Sequence, residues 1–421
     1  MCHKTAMTRR PPDHHSGSGI GKMACRLAWI AAVVVLVPMS AGAQLPEYVL
    51  ESTVRIGSVD DPQSALDLVS VLAVAPDGRL AVAQPMETSV WVFSPTGERL
   101  EVVGRAGDGP GEFRAISAMG WQGDTLWVAD GSLFRVTFLD PESGPLGTVG
   151  GQHRQVDGVI RAPLPAGDGR WILYRRWPLD PQRSTYREEI WSADEQWQPL
   201  ERLGHLPEGP DGVQLQFPER ERPIHRPHPL PQHPLYAVAP DAASLTVVRR
   251  EVEREGYAVT RMTVEGDTVF HREHAVMPRP VTRDDRAAIL EDYLSDESLQ
   301  RAASSTGALR RAVESALQLP GVYPAVTKVV VGRDGATWLR GPDDRSGTVS
   351  WTVLDPTGEP SFTVRTDREI GMFQGRVEIY NLVRMAADAD GLWAVVPGEF
   401  DVPYVVRYEL RPPDGGQRNT R

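Results

Sequence analysis

The chain contains very little cysteine and few long apolar runs. Only two of its 421 residues are cysteines, Cys2 and Cys25, and both lie near the amino terminus. Everything beyond residue 25 therefore lacks disulfides, thiol nucleophiles and zinc–thiolate sites. The longest apolar run is Leu27–Val37, which is too short to cross a bilayer as a helix. These absences exclude a disulfide scaffold and predict no membrane span after the run.

The same apolar run has the surroundings of an export signal. Arg26 precedes it, and the small residues Ala41-Gly42-Ala43 follow it. A basic flank, a short apolar centre and a small-residue exit are typical of a cleaved secretory signal. We therefore expect residues 1–43 to be a signal peptide, with Met23 as a candidate true start. The mature protein is then expected in the periplasm or outside the cell.

Positive charge is also scarce, and lysine almost absent. Residues 1–43 hold five bases and one acid, so their removal changes the formal net charge from −11 to −15. Lys328 is then the only lysine, and every other base is arginine. Because an acidic protein repels phosphate backbones and anionic lipid, the charge argues against both as main partners. A protein partner or a small ligand is the expected alternative.

Familiar catalytic and metal-binding motifs are missing as well. The sequence contains no Gly-x-Ser-x-Gly elbow, no His-Glu-x-x-His pair and no complete calcium loop. The glycine cluster Gly107–Gly111 invites comparison with a phosphate-binding loop. A strand rather than a helix is predicted after it, however, and Pro110 removes one amide donor, which favours a structural turn. No cofactor is implied.

A repeated unit of about 45 residues is present instead, which is the length of a four-stranded propeller blade. It is clearest in Gly104–Gly144, where strand-length apolar runs alternate with Gly- and Asp-rich turns. Length and composition alone are equally compatible with one continuous repeat array and with two domains. Six units begin near Val69, Ala115, Arg161, Leu235, Ala325 and Ile379.

The sixth unit is one strand short, and the segment Glu47–Gly57 is the candidate to complete it. An amino-terminal strand in the last blade would close the ring and remove its open edges. The sequence therefore predicts an all-β, six-bladed β-propeller over residues 44–411. Residues 412–421 are expected to form a disordered tail.

Two insertions interrupt the period. Residues 205–234 are rich in Pro, Arg and His and are interpreted as a long irregular loop between units three and four. Residues 281–318 carry the chain's one good helical pattern and predict a small helical insertion between blades four and five. Thr282 is the candidate helix N-cap, followed by an apolar stripe. The stripe comprises Ala287, Ile289, Leu290 and Tyr293.

The segment GRAGDGPGEF (Gly104–Phe113), followed by an inner strand and TLWVAD, resembles the NHL-type repeat of six-bladed propellers. The blade layout is also similar to that of TolB-type and gluconolactonase-type propellers. The resemblance covers nearly the whole predicted propeller, although the motif itself is clear only in blades one and two. It implies a bacterial exported propeller. Such propellers include binding scaffolds, sugar lactonases and lyases, so the fold alone fixes no activity.

Three bases are candidates for a ligand site in the channel. Lys328 and Arg384 each lie six residues before the turn Asp of their unit, in neighbouring inner strands, and Arg161 begins the third unit. Together they could bind a carboxylate or phosphate. The alternative is that each base pairs with an acid across a blade interface, as buried bases normally do.

His225, His228 and His233 are weak candidates for zinc or copper ligands, because three imidazoles fall within nine residues. Their setting in a Pro-rich loop favours a structural interpretation instead. The expected function is a binding or protein-interaction scaffold whose site lies at the channel mouth, in the crossings between blades. The alternative is a metal-dependent hydrolase or lactonase at the same mouth.

Overall fold

The computed structural model describes residues 45–61, 64–150, 159–180, 185–210, 212–250, 256–344, 347–367, 370, 385–388, 390–398 and 402–412. The predicted signal peptide, Arg384 and the tail from residue 413 lie outside these ranges.

The described chain is mostly β, with four-stranded antiparallel sheets in a propeller-like arrangement. The first sheet comprises β2 (Leu72–Val74), β3 (Leu80–Gln84), β4 (Ser89–Phe93) and β5 (Arg99–Val103). The second comprises β6 (Ile116–Gln122), β7 (Thr125–Asp130), β8 (Arg135–Asp140) and β9 (Gly144–Gly150). The third comprises β10 (Val159–Pro165), β11 (Trp171–Asp180), β12 (Thr185–Ala193) and β13 (Pro199–Pro210). The fourth comprises β16 (Leu235–Val238), β17 (Ser244–Arg249), β18 (Gly256–Thr263) and β19 (Thr268–Ala275).

The rest of the array forms one eight-stranded sheet. It contains β20 (Lys328–Val331), β21 (Thr337–Arg340), β22 (Thr348–Leu354), β23 (Pro360–Asp367), β24 (Met385–Asp388), β25 (Gly391–Val396), β26 (Tyr404–Arg411) and the amino-terminal strand β1 (Glu47–Ile56). The predicted pairing of the amino-terminal strand with the last strand is confirmed, because β1 runs antiparallel to β26. A parallel pairing of β1 with β23 was not predicted, and it joins the two halves of this sheet.

Aspartates shape the hairpin turns between the first and second strands. The carboxylate of Asp77 accepts the amide of Arg79 at 3.0 Å, and Asp334 accepts that of Ala336 at 3.2 Å. These are Asx-turns, in which the side chain replaces a backbone acceptor. Gly78 and Gly335 follow with φ of +90° and +81°, which a side chain would strain. The recurring Asp-Gly pair in the sequence therefore marks these turns.

The core lies between adjacent sheets. Four tryptophans that follow the first turns are all buried, as the sequence predicts for second-strand core positions: Trp127, Trp171, Trp338 and Trp393. One cluster packs residues of the second, third and fourth sheets together, from Val136 through Tyr174 to Leu245. Burial of this kind, at about 25 cal/mol per Å² of apolar surface, is what holds neighbouring sheets face to face.

Three helices lie between β19 and β20: α1 (Arg283–Ser295), α2 (Glu297–Ala302) and α3 (Thr306–Ala316). Thr282 caps α1 as predicted. Its hydroxyl accepts the amide of Asp285 at 3.2 Å, and the Asp285 carboxylate accepts the amide of Thr282 at 2.9 Å. This is a capping box, which satisfies two amides that have no partner inside the helix.

The predicted apolar stripe of α1 is only partly right. Ala287 is exposed, and the buried residue of this helix is Leu294. The helix turns this part of its surface to α2 and α3, where Leu299, Leu309 and Val313 are buried. The apolar pattern of one helix does not show which of its faces packs against the neighbouring helices.

The interpretation of residues 205–234 as an irregular loop is wrong in part. Val213–Leu215 (β14) and Ile224–Arg226 (β15) pair as an antiparallel two-stranded sheet. Val213, Leu215 and Phe217 are buried in the same cluster as the three helices. We call β14, β15 and α1–α3 together the insertion module, because the two insertions share one core.

Candidate functional site

A cavity of about 470 Å³ lies where the first strands of the sheets come together. Its wall is built from β2, β6, β16, β20 and β24. Most of the lining residues are aliphatic, with Leu72, Met119, Val238, Val330 and Ala386 among them. Polar and apolar atoms share the accessible wall about equally, and the volume is that of a small-molecule pocket. We call it the axial cavity.

The axial cavity reaches the turns between first and second strands, where Pro76, Asp241 and Gly335 contribute to it. The sequence pointed instead to the opposite strand ends, where the crossings between blades lie. The two insertions leave and rejoin the sheets at those crossings, next to the ends of β13 and β19 and the starts of β16 and β20. The axial cavity and the two insertions therefore belong to different ends of the strands.

Arg261 is the buried charge of the axial cavity. It lies on β18, and its guanidinium extends to the next sheet, where Nη1 donates to Gly335 O at 2.7 Å and Nη2 to Thr337 Oγ1 at 2.8 Å. Nε donates to Thr246 Oγ1 at 3.1 Å within the fourth sheet. The guanidinium also lies 5.3 Å from the ring centroid of Phe270. These contacts fix the side chain between two sheets.

Burial lowers the pKa of Arg261 from its ordinary value, and the charges of Asp241 and Asp334 act in the opposite direction. Arginine stays protonated even when its pKa falls by several units. The residue therefore presents a permanent positive charge to the cavity wall.

Arg333 is a second base of the lining, and it is exposed at the rim. Its backbone amide donates to Ala387 O at 3.1 Å, and its Nη2 donates to Pro76 O at 3.0 Å. Trp121 makes a similar link, with Nε1 donating to Ala73 O at 3.1 Å. Hydrogen bonds between inner strands thus hold the rim in place, which preorganises the cavity.

The described structure shows only one of the three predicted channel bases in full. Lys328 is buried at the start of β20, but the cavity lining begins at the next residue, Val329. Arg161 lies in β10, and its side chain is outside the described part of the chain, as is the whole of Arg384. The anion site built from these three bases therefore stays a prediction.

Two of the three candidate histidines make structural contacts through their rings. His228 Nε2 lies 3.0 Å from Gln318 O, and His228 Nδ1 accepts the amide of Leu230 at 3.1 Å, so both ring nitrogens are used. His233 Nδ1 lies 3.1 Å from Pro234 O, and burial lowers its pKa. His225 belongs to β15. In the described ranges, no three His, Cys, Asp or Glu side chains are placed to hold a metal ion together.

The glycine-rich segment Gly104–Phe113 is a closed turn. The carboxylate of Glu112 accepts the amide of Gly109 at 2.8 Å and Arg105 Nε at 2.9 Å. A Cβ at Gly107 would collide with this carboxylate. The loop therefore binds its own anion, in agreement with the structural interpretation.

Sequence reasoning missed Arg261 and Arg333 as site residues. A signal for Arg261 was present, because GYAVTRMT alternates with period two and places Arg261 on the same face as Tyr257 and Val259, both buried. Arg333 carries no such signal, since it follows a strand and lies in a turn.

None of the helices in the described residues is long and apolar enough to cross a membrane. No protein-family model matches the sequence, and no curated protein matches it either.

Solved structures resemble the chain distantly. A member of the DUF4221 family from Bacteroides vulgatus has 10% sequence identity and a TM-score of 0.48, with 88% of this chain and 99% of that chain covered. The gluconolactonase of Xanthomonas campestris has 13% identity and a TM-score of 0.35, covering 87% and 98%. Virginiamycin B lyase from Staphylococcus aureus has 9% identity and a TM-score of 0.36, covering 86% and 99%. Likenesses this distant assign no activity to this chain.

Proposed function

We propose that this protein is an exported, six-bladed β-propeller that binds a small molecule in its axial cavity. The observation that carries the proposal is the cavity itself, with its mostly aliphatic side chains, the polar groups between them and its hydrogen-bonded rim. Pockets of this kind bind ligands through apolar contact and use a small number of fixed polar groups for orientation.

The way the eight-stranded sheet is built supports the proposed count of six blades. Strands β20–β23 repeat the layout of the four-stranded sheets, and β24–β26 with β1 repeat it again. The antiparallel pairing of β1 runs from Val49 to Ile56, whereas its parallel pairing with β23 is limited to Glu47–Val49. The short parallel contact is best understood as a link between two blades.

The chemistry of the lining favours binding over hydrolysis. Asp241 is the only carboxylate in the described lining, which contains no His, Cys or Lys. General acid–base catalysis needs a group that exchanges protons near neutral pH, and arginine does not. The competing hypothesis, a metal-dependent hydrolase or lactonase, is tested by metal analysis of the purified protein together with a panel of lactones and esters. A stoichiometric metal with turnover would contradict a purely binding role.

Binding is tested with the neutral dye N-phenyl-1-naphthylamine, whose fluorescence rises in apolar surroundings. We expect saturable binding to the wild type. Substitution of half-buried Ala386 by Phe should reduce it, because the larger side chain fills cavity volume. Leu146→Phe is the control, since Leu146 is exposed on β9 and outside the lining. Equal binding by both variants would place the dye elsewhere and contradict the proposal.

Export is tested by expressing the full chain in a bacterial host and sequencing the amino terminus of the protein recovered outside the cytoplasm. Cleavage after Ala43 predicts Gln44 as the first residue. Recovery of only uncleaved protein in the cytoplasm would contradict export.

A further inference from the structure

We infer that the axial cavity selects ligands that carry an oxyanion, and that Arg261 is the residue that contacts it. The inference rests on the proposed binding function, since it names the chemical class of the ligand. A carboxylate, a sulfonate or a phosphate attached to an apolar body has the chemistry that such a site recognises.

The first argument is the charge state of Arg261. Arg261 is only 6% exposed, and its guanidinium donates hydrogen bonds to the neutral oxygens of Thr246, Gly335 and Thr337. No described carboxylate is within ion-pair distance of it. Asp241 and Asp334 act on it only through longer-range attraction. Buried charges are normally paired, because desolvation is costly. A bound oxyanion would supply that pairing.

The second argument is the number of donors. A guanidinium has five N–H groups, and the three contacts to protein use one each from Nε, Nη1 and Nη2. One N–H therefore remains on each terminal nitrogen. These two N–H groups are charged donors from which a carboxylate, a sulfonate or a phosphate can accept.

The third argument is the balance of charge along the wall. Arg333 adds a second positive charge at the rim, and Asp241 is the one opposing carboxylate in the described lining. Asp241 is exposed, and its Oδ1 is occupied by the amide of Ala243 at 3.0 Å. The lining is thus cationic within a protein whose formal net charge is −11. Asp334, next to Arg333 in the same turn, offsets part of this charge, so attraction of an anion depends on Arg261 and Arg333 at the wall itself.

Arg250 provides an internal control. It is 5% exposed, lies between the same two sheets, and donates to the carbonyl oxygens of His233 and Val326. Burial lowers its pKa to about 10. It borders a separate cavity of about 70 Å³, which is much smaller than the axial cavity. The two arginines therefore share a structural role, and only Arg261 lines the axial cavity.

The test compares two dyes that differ in one sulfonate: anionic 8-anilinonaphthalene-1-sulfonate and neutral N-phenyl-1-naphthylamine. We expect the wild type to bind the anionic dye about tenfold more tightly, which is the scale of a charge-assisted hydrogen bond. Arg261→Met should remove that preference while binding of the neutral dye persists. Arg250→Met should leave the preference intact, and the affinity for the anionic dye should fall as salt is added.

Each outcome decides the question. If the wild type binds neither dye, the proposed binding function fails. If it binds the neutral dye and prefers it or shows no preference, only the oxyanion inference fails. Equal loss of the preference in Arg261→Met and Arg250→Met would also overturn it, because both would then act through stability. Should Arg261→Met not fold, Arg333→Gln at the exposed rim replaces it, with a weaker loss of the same preference expected and an unchanged preference contradicting the inference.

Discussion

Neighbouring sheets of this protein are connected by crossings that are stabilised in two different ways. One example is the crossing from the first to the second sheet, and the other is the pair of crossings on either side of the fourth sheet. The first is the short segment Gly104–Phe113, whose polar groups are satisfied locally. Arg135 donates to the carbonyl oxygens of Asp108 and Gly109, each at 2.8 Å, and Phe113 is fully buried as its one apolar anchor. The other two crossings carry the insertion module, with an apolar core of its own.

The difference shows how chain length changes the source of stability. A crossing of only twelve residues between β5 and β6 is too short to bury a core, so hydrogen bonds and a single aromatic anchor hold it. A two-stranded hairpin or three short helices are marginal alone in water. Packed together, Phe217 from one insertion and Leu309 from the other bury apolar surface that neither could bury alone. Four experiments test this contrast, in order of decreasing effect.

Leu309→Asp should have the largest effect, because it places a charge in the core of the insertion module, where Leu309 is fully buried. We expect loss of the module's structure, detected as rapid proteolysis within residues 283–316. Glu314→Ala, at an exposed position of the same helix, should leave protection unchanged. Peptides of Gly104–Phe113 should keep their hydrogen-exchange protection in both variants. Loss of protection there would show that the two crossings fold as one unit.

Phe113→Ala should cost about 3–5 kcal/mol of unfolding free energy, the usual range for a fully buried Phe. The aromatic ring also lies against Gly104, where an added Cβ would be 2.6 Å from it. Denaturant unfolding gives the value. Phe134→Ala, at a largely exposed position of the second sheet, is the control and should cost much less. A cost below about 1 kcal/mol for Phe113→Ala would show that hydrogen bonds alone hold the short crossing.

Thr282→Ala should cost about 1 kcal/mol, because it removes the N-cap hydroxyl of α1. The effect should be confined to the insertion module and is measured by local hydrogen exchange. Thr306→Ala is a matched control, since Thr306 is exposed in the first turn of α3 and Ser305 is the cap there. Equal effects of the two substitutions would argue against capping as the cause.

The smallest expected effect is a difference in pH response. Burial holds the pKa of His233 below 6.5, so the folded state binds fewer protons than the unfolded state just below that pH. Stability near His233 should therefore fall as pH drops from 6.5 toward its folded-state pKa. The Gly109 amide and Arg105 lower the pKa of Glu112 from 4.5, so the short crossing should lose stability only below that pH.

Hydrogen exchange at about pH 7, 5.5 and 4, corrected for intrinsic rates, separates the two regions, because only histidine titrates in the upper interval. Peptides around His233 should lose protection first. His233→Gln should remove the loss of protection between pH 7 and 5.5. The charges of Arg250, Glu188 and His228 also act on the pKa of His233. Simultaneous loss in both regions would contradict the assignment.

Much of the blade structure could be predicted from the sequence. The turn Asp of Asp77-Gly78 and of Asp334-Gly335 acts on its own backbone, so its signal is local. The N-cap Thr282 is visible for the same reason. The candidate site was predicted less well. Lys328 stood out because its type broke the repeat, whereas the period-two pattern of β18 marks Arg261 as buried without showing that it lines a cavity.

Taken alone, the sequence determined most strands of the four-stranded units, their turns, the cap of the first helix and the partner of the amino-terminal strand, because these depend on patterns within short segments. Only the tertiary structure decided the parallel contact between Glu47–Val49 and β23, the shared core of the two insertions and the position of Arg261 in the axial cavity. Each of these joins residues that are far apart in the chain. Their meeting depends on the angles and distances between packed sheets, which no local pattern encodes.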